Sequence, residues 1–197
     1  QLMESGEIPN PDEAINTAIV LPDENLLLPV LYSIPEEIGK INVTMGYGLS
    51  HASVASLVEH LAGLQHNVRK SGDETVFYYR FVLSVLNHPL VSRAAKDSVE
   101  TLKANNIKNN RVVVSARELQ THPLLTVLFT PITRWADIPE YLKSMLSYLY
   151  NALTDEKRAT DDDAPHDTRP IDLEREFIVQ YYKSVVRLQD TLRDAAE

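Results

Sequence analysis

Apolar residues in the first fifty positions come in short runs separated by proline. Thr17–Leu21 (TAIVL) is such a run, closed by Pro22-Asp23, and predicts a buried strand. Asp23 can cap a helix on which Leu26, Leu27, Val30 and Leu31 share one face. Pro29 kinks or restarts that helix and Ile34-Pro35 ends it. Ile41–Met45 (INVTM) is rich in β-branched residues and predicts a second strand. Strand, helix, strand is a minimal βαβ unit, and parallel pairing of its two strands follows. Two strands hide too little surface to stand alone. Residues 1–16, with Pro9 and Pro11, read as an irregular lead-in.

After Gly46-Tyr47-Gly48 the period changes to that of helices. Ser50 can cap a helix carrying Val54, Leu57, Val58, Leu61 and Leu64. Glu74–Leu86 predicts a second helix, with stripes Phe77/Phe81/Val85 and Tyr78/Val82/Leu86, stopped by Asn87-His88-Pro89. Residues 92–104 continue with Ala95, Val99 and Leu102 at helical spacing. Arg111–Val114 (RVVV) suits a short strand or an extended link, and Ser115 with Glu118 forms a capping box. His122-Pro123 interrupts before Leu124–Phe129 resumes the apolar pattern. Asp137 and Glu140, with Pro139, open a helix carrying Leu142, Met145, Leu146, Leu149 and Leu153. Residues 154–170 are polar and acidic, as in a mobile loop. Leu173–Ala195 is a final helix with Phe177, Tyr181, Val185, Leu188 and Leu192 on one face. The fold class expected is mainly α with a small α/β (βαβ) N-terminal part. The division is 1–48 for that part and 49–197 for the helical one.

Composition narrows the chemistry. The 197 residues include no cysteine, so disulfides, thiol nucleophiles and cysteine-ligated metals are excluded. No apolar run reaches ~18 residues, and the N-terminus does not read as a signal peptide; a cytoplasmic location is the expectation. The chain does not begin with Met and reads like a piece of something larger. The net charge of −9 opposes general phosphate-driven binding to nucleic acid. Residues 91–117 run the other way: Arg93, Lys96, Lys103, Lys108, Arg111 and Arg117 stand against Asp97 and Glu100 alone. They form either a local anion-facing surface or ordinary solvated helix charge.

No complete catalytic signature is present. Gly46-x-Gly48 follows a predicted strand, but position 51 is His where a dinucleotide loop needs a third glycine. There is no G-x-x-x-x-G-K-[ST]. Pro22-Asp23 and Asp155-Glu156-Lys157 are the parts of a metal-dependent nuclease site, yet they lie 132 residues apart. Asp161–Asp163 reads as a solvated acidic loop rather than a cation site. The six histidines (51, 60, 66, 88, 122, 166) lack metal spacing and read as surface or cap residues. No G-x-S-x-G elbow accompanies the serines. Trp135, the single tryptophan, is expected to anchor a loop onto the helical core. No catalytic residue, metal ligand or cofactor is assigned.

Thr17–Leu49, with Ile34-Pro35, Asn42–Tyr47 (NVTMGY) and then Phe77–Val91 (FYYRFVLSVLNHPLV), resembles the second motor subdomain of UvrD/RecB-type helicases and the helical 2B insertion that follows it. The wording is similar to AddB-like proteins, bacterial ATP-dependent exonucleases of the PD-(D/E)XK nuclease superfamily. The resemblance implies a 2A-edge segment over 1–48 and a 2B-like subdomain over 49–197, and it requires the two early segments to pair in parallel. It implies a non-catalytic piece of a parent that processes double-strand DNA ends with an AddA-type helicase–nuclease subunit. Its role would be a scaffold for duplex DNA or for that subunit. The phosphate-positioning residues would then be Lys96, Lys103, Lys108, Arg111 and Arg117. The alternative is a helical protein–protein interaction module without nucleic-acid contact.

Overall fold

A computed structural model describes residues 18–35, 38, 41–44, 48–109, 111–160 and 173–194, with backbone only at 106–109 and 156–160. The chain divides into two compact units, of which the larger comprises Leu49–Asp162 and Asp172–Glu197. In the smaller, Asp23 caps a 3₁₀ turn, Glu24–Leu26, its carboxylate accepting from the Asn25 amide at 2.9 Å. Helix α1, Leu27–Ser33, follows directly. It accommodates Pro29 in its first turn, where amides have the least need of an intrahelical acceptor.

The expected βαβ unit is not what the described residues form. Residues 18–21 and 41–44 carry no strand, while Thr17 and Met45 lie outside the described residues. Val20 is 87% exposed and Ile19, Ile41 and Val43 are exposed as well. β-branched composition reports fitness for a pleated, half-covered surface, not a drive of the backbone itself. Among the described residues no strand pairs with residues 18–21 or 41–44, and an exposed apolar run gains nothing from extension.

The sheet lies in the larger unit. Strands β1 (Arg69–Ser71), β2 (Glu74–Tyr78) and β3 (Val113–Ser115) pair antiparallel in the order β1-β2-β3. Phe77 stands opposite Val114 and Tyr78 opposite Val113. One more bond, from the Tyr79 amide to the Val112 carbonyl at 2.8 Å, extends the ladder. The segment Glu74–Leu86 is thus not one helix. Its first five residues are β2, and only Tyr79–Leu86 is helical (α3). The hairpin explains why: Gly72 turns the chain at φ +63°, and Thr75-Val76-Phe77-Tyr78 suits a sheet better than a helix. Nothing lies within 4 Å of a Cβ built on Gly72, so only the backbone conformation resists substitution. Gly72→Ala is therefore expected to cost about 1 kcal/mol, and Gly72→Asn less, because Asn tolerates the left-handed region. Thermal melts should show a drop of about 2–4 °C for the alanine variant; a larger drop would mean that a steric clash operates at the turn.

The helices are α2 (Ser53–His66), α4 (Pro89–Ala94), α5 (Lys96–Asn109), α6 (Ala116–Leu119), α7 (Pro123–Leu128), α8 (Ile138–Thr160) and α9 (Leu173–Asp194). Their apolar stripes make one core. Helix α2 contributes Val54, Leu57, Leu61 and Leu64; α8 contributes Met145, Leu146, Leu149 and Leu153; α9 adds Ile178 and Val185. Phe77 from the sheet meets Phe129 edge to face, with centroids 5.8 Å apart, in the middle of it. Helix α2 packs against α3, α4 and α9, and α8 against α4, α7 and α9.

Three expected caps differ. Helix α2 starts at Ser53 after a 3₁₀ turn, Leu49–His51, so Ser50 does not cap it. Ser115 precedes α6 without a side-chain cap bond, and Glu118 turns to Arg111 instead. Asp137 closes a 3₁₀ turn, Trp135–Asp137, and is held by Arg134 in a two-bond ion pair at 2.7 and 3.1 Å. In each case a competing partner or a preceding turn takes the group. Of the expected loop 154–170, residues through Thr160 continue α8, and 161–170 lie outside the described residues.

Candidate nucleic-acid and partner interface

The five basic candidates come from two parts of the chain: Lys96, Lys103 and Lys108 from α5, and Arg111 and Arg117 from the β3–α6 segment. Lys96 and Lys103 are two turns apart on α5 and share a side of it, with Glu100 between them. Lys103 is half-buried and Lys96 exposed. Lys108 lies on α5, its side chain outside the described residues. Arg111 precedes β3 and pairs with Glu118 of α6; Arg117 is exposed on α6. Between α5 and the β3–α6 segment runs a shallow groove of about 420 Å³ whose lining includes Asp97, Thr101, Asn105, Arg111 and Glu118. Two carboxylates and one already paired guanidinium make this a mixed-charge surface. An anion entering it would have to displace Glu118 from Arg111 and face Asp97.

The nuclease fragments fare no better as a site. Asp23 is engaged as a cap, Asp155 lies on α8, and the side chains of Glu156 and Lys157 are outside the described residues. Among the described residues there is no group of three or more His, Asp or Glu placed to hold a metal ion. His122 caps α7, its Nδ1 accepting from the Leu124 amide at 3.2 Å, as a cap histidine should. His88 stands at the N-cap position of α4, as one of the cap residues expected, but its ring makes no cap bond and is buried. Gly46, Asp161–Asp163 and His166 lie outside the described residues. Among the described residues no helix is long and apolar enough to cross a membrane.

A different surface stands out. Trp135, expected in the core, is 87% exposed. The segment leading to it is braced on both sides. Gln65 of α2 donates to the Thr130 carbonyl at 2.9 Å and accepts from the Ile132 amide at 3.0 Å. The Tyr141 hydroxyl of α8 donates to the Leu128 carbonyl at 2.8 Å, and burial raises its phenol above the ordinary value. These bonds fix the backbone without giving the indole a pocket. The neighbouring helices run antiparallel: residues 146–151 of α8 face 178–183 of α9 across a shared cleft. Lys143, at the start of α8, is raised in pKa first by its hydrogen bond to Glu140 at 2.6 Å, and further by Tyr182 and Asp190 on α9. Trp135 and the end of α9 therefore share one end of this helix pair. There the α9 stripe that begins with buried Ile178 and Val185 continues into Leu188 and Leu192, 48% and 51% exposed. The indole and the two leucines are large apolar side chains left exposed towards that end of the pair. The i, i+3, i+4 spacing of the leucines was visible in the sequence; their exposure was not. No family model, curated protein or solved structure matches this chain.

Proposed function

We propose that this chain is a non-catalytic helical scaffold whose principal contact is with another protein. In the AddB-type setting suggested by Thr17–Leu49 and Phe77–Val91, that protein is the AddA-type helicase–nuclease subunit. The observation that supports this reading most is the exposed Trp135 on a braced turn at the end of α8 and α9 where Leu188 and Leu192 are also uncovered. Tryptophan is the residue most often found at the energetic centre of a protein interface. Among the described residues the parallel pairing that the resemblance requires is absent, so the 2A-edge assignment of 1–48 loses its structural support and the scaffold role rests on the helical unit and the wording of the sequence alone.

A second reading, a scaffold for duplex DNA ends, draws support from Lys96 and Lys103 on one side of α5. Lysine side chains position a phosphate backbone without reading bases. Arg111, committed to Glu118, does not strengthen it. The two readings separate in one binding experiment with two probes, the AddA-type subunit and a blunt DNA duplex at low salt. The expected result is binding of the subunit, weakened about tenfold or more (~1.4 kcal/mol) by Leu188→Asp with Leu192→Asp. Duplex binding is expected to be weak and indifferent to Lys96→Glu, Lys103→Glu and Arg117→Glu. Tight duplex binding lost on those reversals, with no binding of the subunit, overturns the order of the two readings.

A further inference from the structure

The larger unit holds a histidine pair that neither reading uses, His88 buried and His60 half-buried. His88 sits at the joint between α3 and α4, 4% exposed, and its carbonyl accepts from the Val91 and Ser92 amides at 3.0 and 2.9 Å. Its ring reaches α2. There Nε2 lies 3.0 Å from the Ser56 hydroxyl, and the His60 ring stands edge-on with centroids 5.8 Å apart. The Ser56 hydroxyl donates its one hydrogen to the Ser53 carbonyl at 2.8 Å, so its oxygen accepts from His88 and Nε2 carries the ring proton. The neutral ring is thereby satisfied on one side only. Nδ1 of His88 and Nδ1 of His60 are both buried without a hydrogen-bond partner. A proton added to Nδ1 of His88 becomes a buried N–H donor with no acceptor, packed against the edge of the His60 ring.

We infer that His88, packed against His60 and Ser56 of α2, is a proton-operated latch: with its ring neutral it holds the α3–α4 joint against α2, and protonation releases it. The neighbouring charges do not rescue the protonated ring. On α2, Glu59 is exposed and acts on Tyr181 of α9, whose phenol is raised first by burial and then by this carboxylate. On α4, Arg93 pairs with Glu174 of α9 at 2.5 Å. On α5, Lys96, Asp97 and Glu100 are exposed, and on α8 Lys143 is engaged with Glu140. The groups acting on His88 are desolvation, first, and then His60, both of which disfavour its charge; the Ser53 carbonyl opposes them. Its folded value lies below the ordinary 6.5, so the unfolded chain binds the more protons. Stability from the latch is complete above about pH 6.5, falls as pH drops below it, and levels off beneath the folded value.

The test is urea unfolding of the whole chain between about pH 5.5 and 7.5, with His88→Asn and His60→Gln beside the wild type. Asn keeps a favourable residue at the start of α4. The unfolding constant of the wild type should rise as pH falls, its slope approaching at most about tenfold per pH unit for the one proton involved. His88→Asn should lose most of that slope, and His60→Gln should move the His88 ring titration, followed by NMR, back toward its ordinary value. The Val91 and Ser92 amides should exchange faster in acid than the intrinsic rate accounts for. Equal slopes in wild type and His88→Asn, or a His88 ring titrating at or above its ordinary value, overturn the latch. That result would leave the protein-contact reading untouched, since Trp135 and the α9 leucines take no part in it.

Discussion

Replacing Phe77 with alanine should destabilise the larger unit by about 3–5 kcal/mol, the cost of emptying a fully buried aromatic site. The ring has no exposure, stands opposite Val114 across the sheet and meets Phe129 edge to face. Its removal thus opens a cavity where the sheet and helices join, and strand and helix cannot both close over it. Thermal melts should register a loss on the order of 10 °C. The informative control is Val20→Asp. With Val20 exposed on a segment that forms no strand, the substitution should stay within about 0.5 kcal/mol of wild type. If Val20→Asp costs as much as Phe77→Ala, the early apolar run is a covered strand after all and the βαβ reading of 1–48 returns.

Trp135→Ala should do the opposite: leave melting almost unchanged and weaken partner binding about thirtyfold, ~2 kcal/mol. The indole contributes little to the fold because it is exposed on a turn that other bonds hold. Arg134 grips Asp137 within the turn, Gln65 ties the preceding segment to α2, and Tyr141 ties it to α8. None of these contacts uses the indole, so the turn keeps its shape in the variant. Calorimetric titration of the AddA-type subunit and a thermal melt of the same preparation give both numbers. An unchanged affinity would remove Trp135 from the interface. A melting temperature lowered by several degrees would return it to the core, as the sequence suggested.

The helical faces of this protein were legible because they rest on a local period. Leu57, Leu61 and Leu64 on α2, and Met145, Leu149 and Leu153 on α8, are buried as their spacing foretold. The short strand in Arg111–Val114 was legible for the same kind of reason: three consecutive valines suit extension. Glu74–Leu86 misled because Phe77, Phe81 and Val85 satisfy a helical stripe while Thr75–Tyr78 also satisfies a strand. Only the presence of β3, over thirty residues later, decides between them. Thr17–Leu21 and Ile41–Met45 misled in reverse, offering strand composition to which no partner strand is supplied among the described residues.

The candidate site was less legible than the fold. Lys96, Lys103, Arg111 and Arg117 counted as a basic stretch, yet the pairing of Arg111 with Glu118 depends on how β3 turns into α6. Charge along a sequence does not report which acid folds back onto which base. The exposure of Trp135 and the burial of the His88 ring were illegible for a similar reason. The helical joint at His88-Pro89 points that ring inward at α2, whereas the 3₁₀ turn at Trp135 points the indole out. Both orientations are set by backbone geometry between elements, where no periodicity operates.

Because Trp135 is the single tryptophan, its fluorescence reports directly on the surface the account makes central. The decisive measurement is its emission while the AddA-type subunit and, separately, a blunt DNA duplex are added. A water-exposed emission is expected for the free chain, with a saturable blue shift on adding the subunit and no shift with the duplex. A free chain already emitting as a buried indole, or a spectrum unmoved by the subunit while the duplex binds and shifts it, would contradict the account.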